Sequence, residues 1–141
     1  LIHFVKSTID KYDYDHLIVL QPTSPLRSHQ DIVNSVKMIK NDKSHSLFSI
    51  SESLEHPYES IVLQKNKKWK YLLKDARKFH RRQDFNLETF FINGAIYIVS
   101  IKHLLKNKSM HSKNNSLYKM PKNRSLDIND YDDLELAKKI L

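Results

Sequence analysis

A short apolar run followed by a stiff polar loop constrains the fold of this chain more than any other feature. Leu17–Leu20 has no helical period and lies between the turn-like Asp13–Asp15 cluster and Pro22, so it predicts a short strand buried on both faces in a parallel sheet. Ligands of such sheets bind beyond the carboxyl ends of the strands. Four polar residues occupy that position here, and they are Gln21, Thr23, Ser24 and Arg27.

The polar loop has two interpretations. It is a ligand-binding platform, with Pro22 and Pro25 restricting its backbone, or it is an ordinary strand-to-helix connection whose polar residues cap the next helix. Ser28 followed by Asp31 is the pattern of a capping box, and apolar residues then continue at helical spacing to about Asn41. Strand, loop and helix form a βα unit under either interpretation.

Length and composition predict one globular domain, or part of one, in a chain of 141 residues that is 40% hydrophobic. Neither a long apolar span nor a signal segment is present in this sequence, so we expect no membrane partner and a cytoplasmic location. The absence of cysteine leaves carboxylates and histidines as the possible metal ligands, and Mg²⁺ suits the oxygen ligands among them.

The formal net charge of +8 is compatible with a nucleic-acid partner. The lysines are scattered or lie in turn-like stretches such as residues 65–68, so nucleic acid is not an expected partner. Gly94 is the single glycine, which excludes the common glycine-rich phosphate loops from these 141 residues.

Hydrophobic periodicity predicts the remaining elements of a three-layer α/β fold with a mostly parallel sheet. Strands are expected at Ser46–Ile50, Ala95–Val99 and Leu117–Met120, helices at Leu1–Tyr12, Ser100–Asn107 and Tyr131–Leu141, and a hairpin at Ile61–Leu63 and Trp69–Leu73.

Two further polar segments are candidates for a site. A single glycine placed after Asn93 predicts either a positive φ or very close approach of the backbone to another group, with a hairpin turn as the alternative. Residues 125–130 alternate polar and apolar, so Asp127 and Asn129 are predicted to project to one side and to hold Mg²⁺. Asp130 is interpreted mainly as the cap of the last helix.

Three strings in order carry a family resemblance. They are LQPTSPLR at residues 20–27, NGAIYI at Asn93–Ile98 and SLDIND at Ser125–Asp130. Together they resemble the acylneuraminate cytidylyltransferases, which make CMP-sialic acids, and the resemblance covers His16–Leu141. It implies a nucleotide-diphospho-sugar transferase-like (Rossmann-like) fold, incomplete at the N-terminus, whose basic phosphate-binding loop lies upstream of this sequence.

The resemblance also implies an activity and a set of site residues. The expected reaction transfers CMP from CTP to an acidic nine-carbon sugar such as N-acetylneuraminic acid, and these 141 residues alone are expected to be inactive because the phosphate loop is missing. By this resemblance, Asp127 and Arg82 are the expected catalytic residues. Asp127 and Asn129 are the expected metal ligands. Arg82 suits the sugar carboxylate because its planar group donates two parallel hydrogen bonds. The substrate-binding positions are Gln21, Thr23, Ser24, Arg27, Arg82, Asn93 and Tyr97.

Residues 55–90 correspond to an arm that packs against a second subunit in the family, so a homodimer is expected. This segment holds more apolar side chains than a two-stranded excursion can bury by itself. Two positions differ from the common pattern of the family: Glu59 stands where a lysine is frequent, and Phe91 where many members have arginine.

Three alternatives remain open at this point. A related enzyme for another acidic sugar, such as legionaminic acid or 3-deoxyoctulosonate, fits the same motifs. A truncated, noncatalytic remnant would keep the sheet and the arm. A small basic nucleic-acid-binding domain would explain the net charge and would show a steep dependence of binding on salt.

Overall fold

The computed structural model describes residues 1–9, 14–78, 85 and 87–141. It divides into two compact units, one formed by Leu1–Ser51 with Ile92–Leu141 and the other by Glu52–Phe91. No described helix is long and apolar enough to cross a membrane.

The described part of the first unit contains a mixed four-stranded sheet with helices. The sheet order is β1-β5-β2-β6, with β1 antiparallel to β5 and β2 parallel to β6. This arrangement confirms the predicted α/β class and is compatible with a Rossmann-like nucleotidyltransferase fold. The elements are α1 Ile2–Ile9, β1 His16–Val19, α2 His29–Asp42, β2 Ser46–Glu52, β3 Ile61–Leu63, β4 Trp69–Tyr71, β5 Phe90–Ser100, α3 Ile101–Asn107, β6 Asn115–Lys119 and α4 Tyr131–Ile140, of which β3 and β4 belong to the second unit.

Strand β1 exists as predicted, but its surroundings differ from the prediction. It pairs antiparallel with β5, from His16 opposite Ser100 to Val19 opposite Tyr97, and it is an edge strand among the described strands. Ile18 therefore remains 38% exposed. The prediction of a strand buried on both faces among parallel neighbours was wrong, because an apolar run carries no information on the direction of the strand beside it.

Two hydrophobic clusters cover the two faces of β5. Ile96 and Ile98 pack with Ile39 of α2, whereas Val99 packs with Val5 of α1 and with α3. Successive strand residues point to opposite faces, so Val99 faces away from Ile96 and Ile98. Helices therefore cover both sides of the sheet, which confirms the predicted three layers and the core positions of Ile96 and Ile98.

The helix caps follow the predicted pattern. Ser28 and Asp31 form a capping box at the start of α2, in which the Ser28 amide donates to Asp31 Oδ2 at 2.9 Å. Asp130 caps α4, accepting a hydrogen bond from the Asp133 amide at 2.9 Å. These contacts confirm that Asp130 acts as a cap.

Asp31 is also the centre of a network that the sequence did not reveal. Its carboxylate is only 1% exposed and accepts two hydrogen bonds from Arg124, at 2.9 Å from Nε and 2.8 Å from Nη2. The Tyr118 hydroxyl donates to the same carboxylate at 3.1 Å. The network joins the start of α2 to β6 and to the short 3-10 turn Lys122–Arg124. It thereby anchors the segment that leads to Asp127.

The pKa of Asp31 is held well below its ordinary value. Burial alone would raise this pKa, but hydrogen bonds from Arg124, Ser28 and Tyr118 favour the charged carboxylate and outweigh burial. The ionised state of Asp31 is therefore part of the folded structure.

The second unit contains the predicted hairpin. Strands β3 and β4 pair antiparallel, with Leu63 opposite Trp69, and the turn between them contains Asn66 at a φ of 68°. The rings of His56, Tyr58 and Phe85 form a cluster in the same unit. Leu63 is 76% exposed and Trp69 is 55% exposed, so the described residues of this unit leave apolar surface of the hairpin uncovered.

We predict that Asp31→Asn lowers the free energy of unfolding by about 2 kcal/mol at pH 7. This is less than the ~3–5 kcal/mol of a fully buried ion pair, because the Arg124 side chain is 37% exposed and solvent screens the pair. The folded-state pKa of Asp31 lies below the unfolded value of about 4, so the stabilisation is complete above that value and declines as the pH falls toward the folded pKa.

Urea unfolding of both proteins at pH 7, 5 and 3.5 measures this difference. It should be constant from pH 7 to 5 and smaller at pH 3.5. Asp132→Asn, at an exposed position of α4, is the control and should change the free energy of unfolding by less than about 0.5 kcal/mol. A difference that does not vary with pH would contradict the assigned charge of Asp31.

Candidate functional site

The loop after β1 meets β5 at Gly94. This glycine has a φ of +75°, and a Cβ atom added there would clash with Oε1 of Gln21 and lie 3.3 Å from its Cδ. The side-chain amide of Gln21 therefore lies directly against the glycine backbone. Both predicted reasons for the single glycine are confirmed, whereas the hairpin alternative was wrong because Gly94 lies inside the strand Phe90–Ser100.

Arg27 fastens the same loop to the sheet. Its Nη1 donates to the carbonyl of Ala95 at 2.8 Å and to the carbonyl of Gln21 at 3.1 Å. One side chain thus holds the end of β1 next to the start of the NGAIYI string. Contact of Arg27 with a substrate stays a prediction.

The loop also pairs with the segment of the third motif. The amide of Ile128 donates to the carbonyl of Thr23 at 2.8 Å. This bond places Asp127, the preceding residue, beside the loop. The three strings are far apart along the chain. In the fold they meet at one end of the sheet, just beyond the carboxyl end of β1.

The side-chain amide of Asn93 joins these segments from within. Asn93 is 2% exposed, and its Oδ1 accepts a hydrogen bond from Ser49 Oγ at 2.6 Å. Its Nδ2 donates to Ser125 Oγ at 3.0 Å. Asn93 is therefore a positioning residue in this structure, and its predicted contact with substrate remains a prediction.

Two of the predicted site residues carry buried polar atoms without a partner among the described residues. These atoms are Ser24 Oγ and Asp127 Oδ1. Ser51 Oγ, which is not a predicted site atom, is also buried and also lacks such a partner. Buried polar groups in folded proteins are nearly always hydrogen-bonded, so each of these atoms calls for a partner, an ordered water or a ligand, that the described residues do not supply. Asp127 Oδ1 is the strongest case because it belongs to a carboxylate.

Tyr97 lies close to the same point. Its hydroxyl would be 3.9 Å from a Cβ placed on Gly94, and its ring packs edge-on against Phe48. Burial raises the pKa of Tyr97, and the nearby charge of Asp127 raises it further. The hydroxyl therefore stays protonated at neutral pH and can donate a hydrogen bond.

The described residues offer few ligands for a metal ion. No group of three or more His, Cys, Asp or Glu side chains lies within metal-binding reach of one another in this part of the chain. Asn129 is exposed, and its Nδ2 donates to the carbonyl of Asp127 at 3.2 Å. One carboxylate and one amide fit Mg²⁺ only together with oxygens from a substrate and from water, which is a common mode of Mg²⁺ binding.

Other predicted and unpredicted residues complete the site. Arg82 lies outside the described residues. Sequence reasoning missed Ser49, Ser125 and Arg124, which position the motif residues. The serines Ser46, Ser49 and Ser51 of the otherwise apolar β2 were a visible signal, because a buried hydroxyl in such a strand needs a partner.

The fold and the site together define a class of protein. This α/β protein gathers an amide, a phenol and a carboxylate beyond the carboxyl end of β1, which is the position at which open α/β sheets generally bind ligands. No protein-family model matches the chain.

Comparison with known proteins narrows this class. The chain is 31% identical over 136 residues to the N-acylneuraminate cytidylyltransferase of Escherichia coli, covering 95% of the chain and 32% of that protein. It is 32% identical over 124 residues to the N-acylneuraminate cytidylyltransferase of Streptococcus agalactiae serotype III, covering 88% and 30%. The CMP-N,N'-diacetyllegionaminic acid synthase of Legionella pneumophila is 29% identical over the whole chain, which covers 62% of that protein.

Over most of its length the chain is therefore similar to N-acylneuraminate cytidylyltransferases. It spans about a third of the length of the first two relatives. The resemblance expected from the three strings is thereby confirmed.

We predict that Gly94→Ala lowers the free energy of unfolding by about 1–2 kcal/mol, because a φ of +75° strains any residue with a Cβ atom. The new methyl group should also displace the amide of Gln21. In a Gln21→Ala background only the backbone strain remains, so the cost should be smaller by about 0.5 kcal/mol or more. Urea unfolding of the four proteins in this cycle measures the coupling, and equal costs in both backgrounds would show that Gln21 does not lie against Gly94.

Proposed function

We propose that this chain forms part of an enzyme that transfers CMP from CTP to an acidic nine-carbon sugar such as N-acetylneuraminic acid, releasing pyrophosphate. The observation that carries the proposal is the convergence of Gln21, Gly94, Tyr97 and Asp127 at one end of the sheet. Three strings that are separate in sequence and shared with the family meet only there. The named activities of the relatives support the substrate class.

The residues of the site have distinct tasks in this proposal. Gln21 and the protonated Tyr97 present hydrogen-bonding groups to the sugar, and Ser24 and Thr23 extend this polar surface. Arg82 binds the sugar carboxylate through its planar group. Asn93 and Arg27 hold the loop and β5 in register, so that the polar groups are in place before the ligand binds.

Mg²⁺ is the proposed cofactor, held by Asp127 and Asn129. The buried and unpartnered Oδ1 of Asp127 fits a cation ligand, because a cation would compensate a charge that the described residues leave unpaired. Bound there, the ion would offset the charge of the triphosphate. Asp127 holds that position next to the loop through the hydrogen bond between Ile128 and Thr23.

A legionaminic acid derivative is the second candidate for the sugar. The Legionella relative, named a CMP-N,N'-diacetyllegionaminic acid synthase, matches the whole chain. The same site residues serve either sugar, so assays with both substrates decide between them.

A chimaeric protein tests the proposed function. In it, this chain replaces the matched 136 residues of the Escherichia coli relative, and pyrophosphate release and CMP-sugar formation are measured with each sugar, CTP and Mg²⁺. We expect turnover by the chimaera and a loss of at least about 100-fold in kcat/KM for Asp127→Ala, because the triphosphate charge is then uncompensated. Asn129→Asp should keep or raise the activity.

The controls separate chemistry from folding. Asp132→Ala, at an exposed position, should leave kcat/KM unchanged, and thermal unfolding should be the same for all active and inactive variants. The isolated chain should release no pyrophosphate, because its one glycine is already covered by Gln21 and cannot form a phosphate loop. Full activity of Asp127→Ala, or a folded chimaera inactive with every sugar, would contradict the proposal.

We also propose a homodimer formed through the unit Glu52–Phe91. Leu63 and Trp69 form an exposed cross-strand pair there, and an isolated two-stranded hairpin is marginal in water. Light scattering at micromolar concentration should give twice the chain mass for the wild type and a monomer for Leu63→Ser/Trp69→Ser. Leu136→Ser, which changes a 47% exposed leucine of α4, should remain dimeric. A monomeric wild type would contradict the proposal.

A further inference from the structure

A cavity of about 750 Å³ lies between the start of β2, the junction of β5 with α3, and the connection from α3 to β6. Its lining contains three lysines and three histidines but no carboxylate among the described residues. We call it the basic cavity, and its charged or basic side chains are Lys102, Lys106, Lys113, His45, His103 and His111.

The basic cavity shares no lining residue with the site built around Gln21, and the ring of Phe48 lies between its His111 and Tyr97 of that site. Ser100, which lines the cavity, pairs with His16 at the start of β1. At the end of β1, Val19 pairs with Tyr97, and Gly94 lies three residues before Tyr97 in β5. The six residue-to-residue steps from Gly94 to Ser100 span about 20 Å of strand. A ligand in the basic cavity would therefore not touch Gln21, and its binding does not rest on the proposed function.

Hydrogen bonds hold the walls of the basic cavity together. The amide of His45 donates to the carbonyl of Asn114 at 3.0 Å, and the amide of Ser100 donates to the carbonyl of His45 at 2.8 Å. The rings of His45 and His103 stack with centroids 5.7 Å apart, and Nε2 of His103 lies 2.9 Å from the carbonyl of His111. The cavity is therefore formed before any ligand binds, which reduces the entropic cost of binding.

The charges of the basic cavity are not neutralised by the described protein. None of the described acidic side chains forms an ion pair with Lys102, Lys106 or Lys113. An adjoining cavity shares His45 and Lys102; it adds Lys40 and Lys43 and a single carboxylate, Asp15. Lysines that line one cavity without an ion-pair partner create a positive potential that attracts anions.

We propose that the basic cavity binds an oligophosphate group, either free or as part of a nucleoside triphosphate. The three lysine ammonium groups match an anion that carries several charges on closely spaced oxygens, whereas the single carboxylate of an organic acid would need only one of them. The volume lies within the usual range for small-molecule sites, about 300–1,000 Å³.

Calorimetric titration of the 141-residue protein with tripolyphosphate, at pH 7 and fixed ionic strength, tests the proposal. The variant is Lys102→Gln/Lys106→Gln/Lys113→Gln. The matched control is Lys65→Gln/Lys67→Gln/Lys68→Gln, which removes the same charge from exposed positions of the other unit. We expect the first variant to bind at least about tenfold more weakly than the wild type, and the control to bind within about twofold. Equal affinities of the two variants would overturn the proposal.

Further titrations identify the source of the phosphates. Tripolyphosphate and CTP of equal affinity would show that the phosphates alone are recognised, and tighter CTP binding that still depends on the three lysines would identify a nucleoside triphosphate. CTP binding that is lost in Asp127→Ala but kept in the lysine variant belongs to the Gln21 site, which separates the two proposals. Binding of a 20-base-pair DNA duplex that depends on the three lysines, without binding of tripolyphosphate, would overturn the proposal in favour of a nucleic-acid surface.

Discussion

The candidate site depends on the hydrogen bonds of the Asn93 side-chain amide. It accepts from Ser49 of β2 and donates to Ser125, which lies two residues before Asp127. Because the amide is 2% exposed, removing it would eliminate two hydrogen bonds at once, each worth roughly 0.5–1.5 kcal/mol. The site is thus organised by one short polar side chain that connects three segments.

Local chemistry explains why much of the fold could be predicted. The capping box at Ser28, the cap at Asp130 and the hairpin turn are decided by neighbours within a few residues, and the structure contains all three. Gly94 was predictable for a related reason, since a chain that uses glycine once does so where a Cβ atom is excluded. The sequence did not show which group excludes the Cβ atom. In the structure this group is the side-chain amide of Gln21.

The unpredicted features are long-range. The ion pair of Asp31 with Arg124 joins residues far apart in sequence, and the contact of Arg27 with Ala95 has no local signature. The antiparallel neighbour of β1 likewise depends on the path of the whole chain, which the apolar run Leu17–Leu20 cannot encode. Strings that are shared with a family predict that such segments meet, but not which atoms hold them together.

The sequence also does not show which charged side chains the fold brings together. Along the sequence, Lys102, Lys106 and Lys113 look like ordinary solvated lysines, because no stripe or run contains them. The fold brings a helix and the following connection to one cavity and so gathers these three charges with three histidines. At the opposite end of the sheet the unpartnered charge is the carboxylate of Asp127. The net charge of +8 alone therefore does not show that the lysines lining the basic cavity and the carboxylate of Asp127 lie in different parts of the fold.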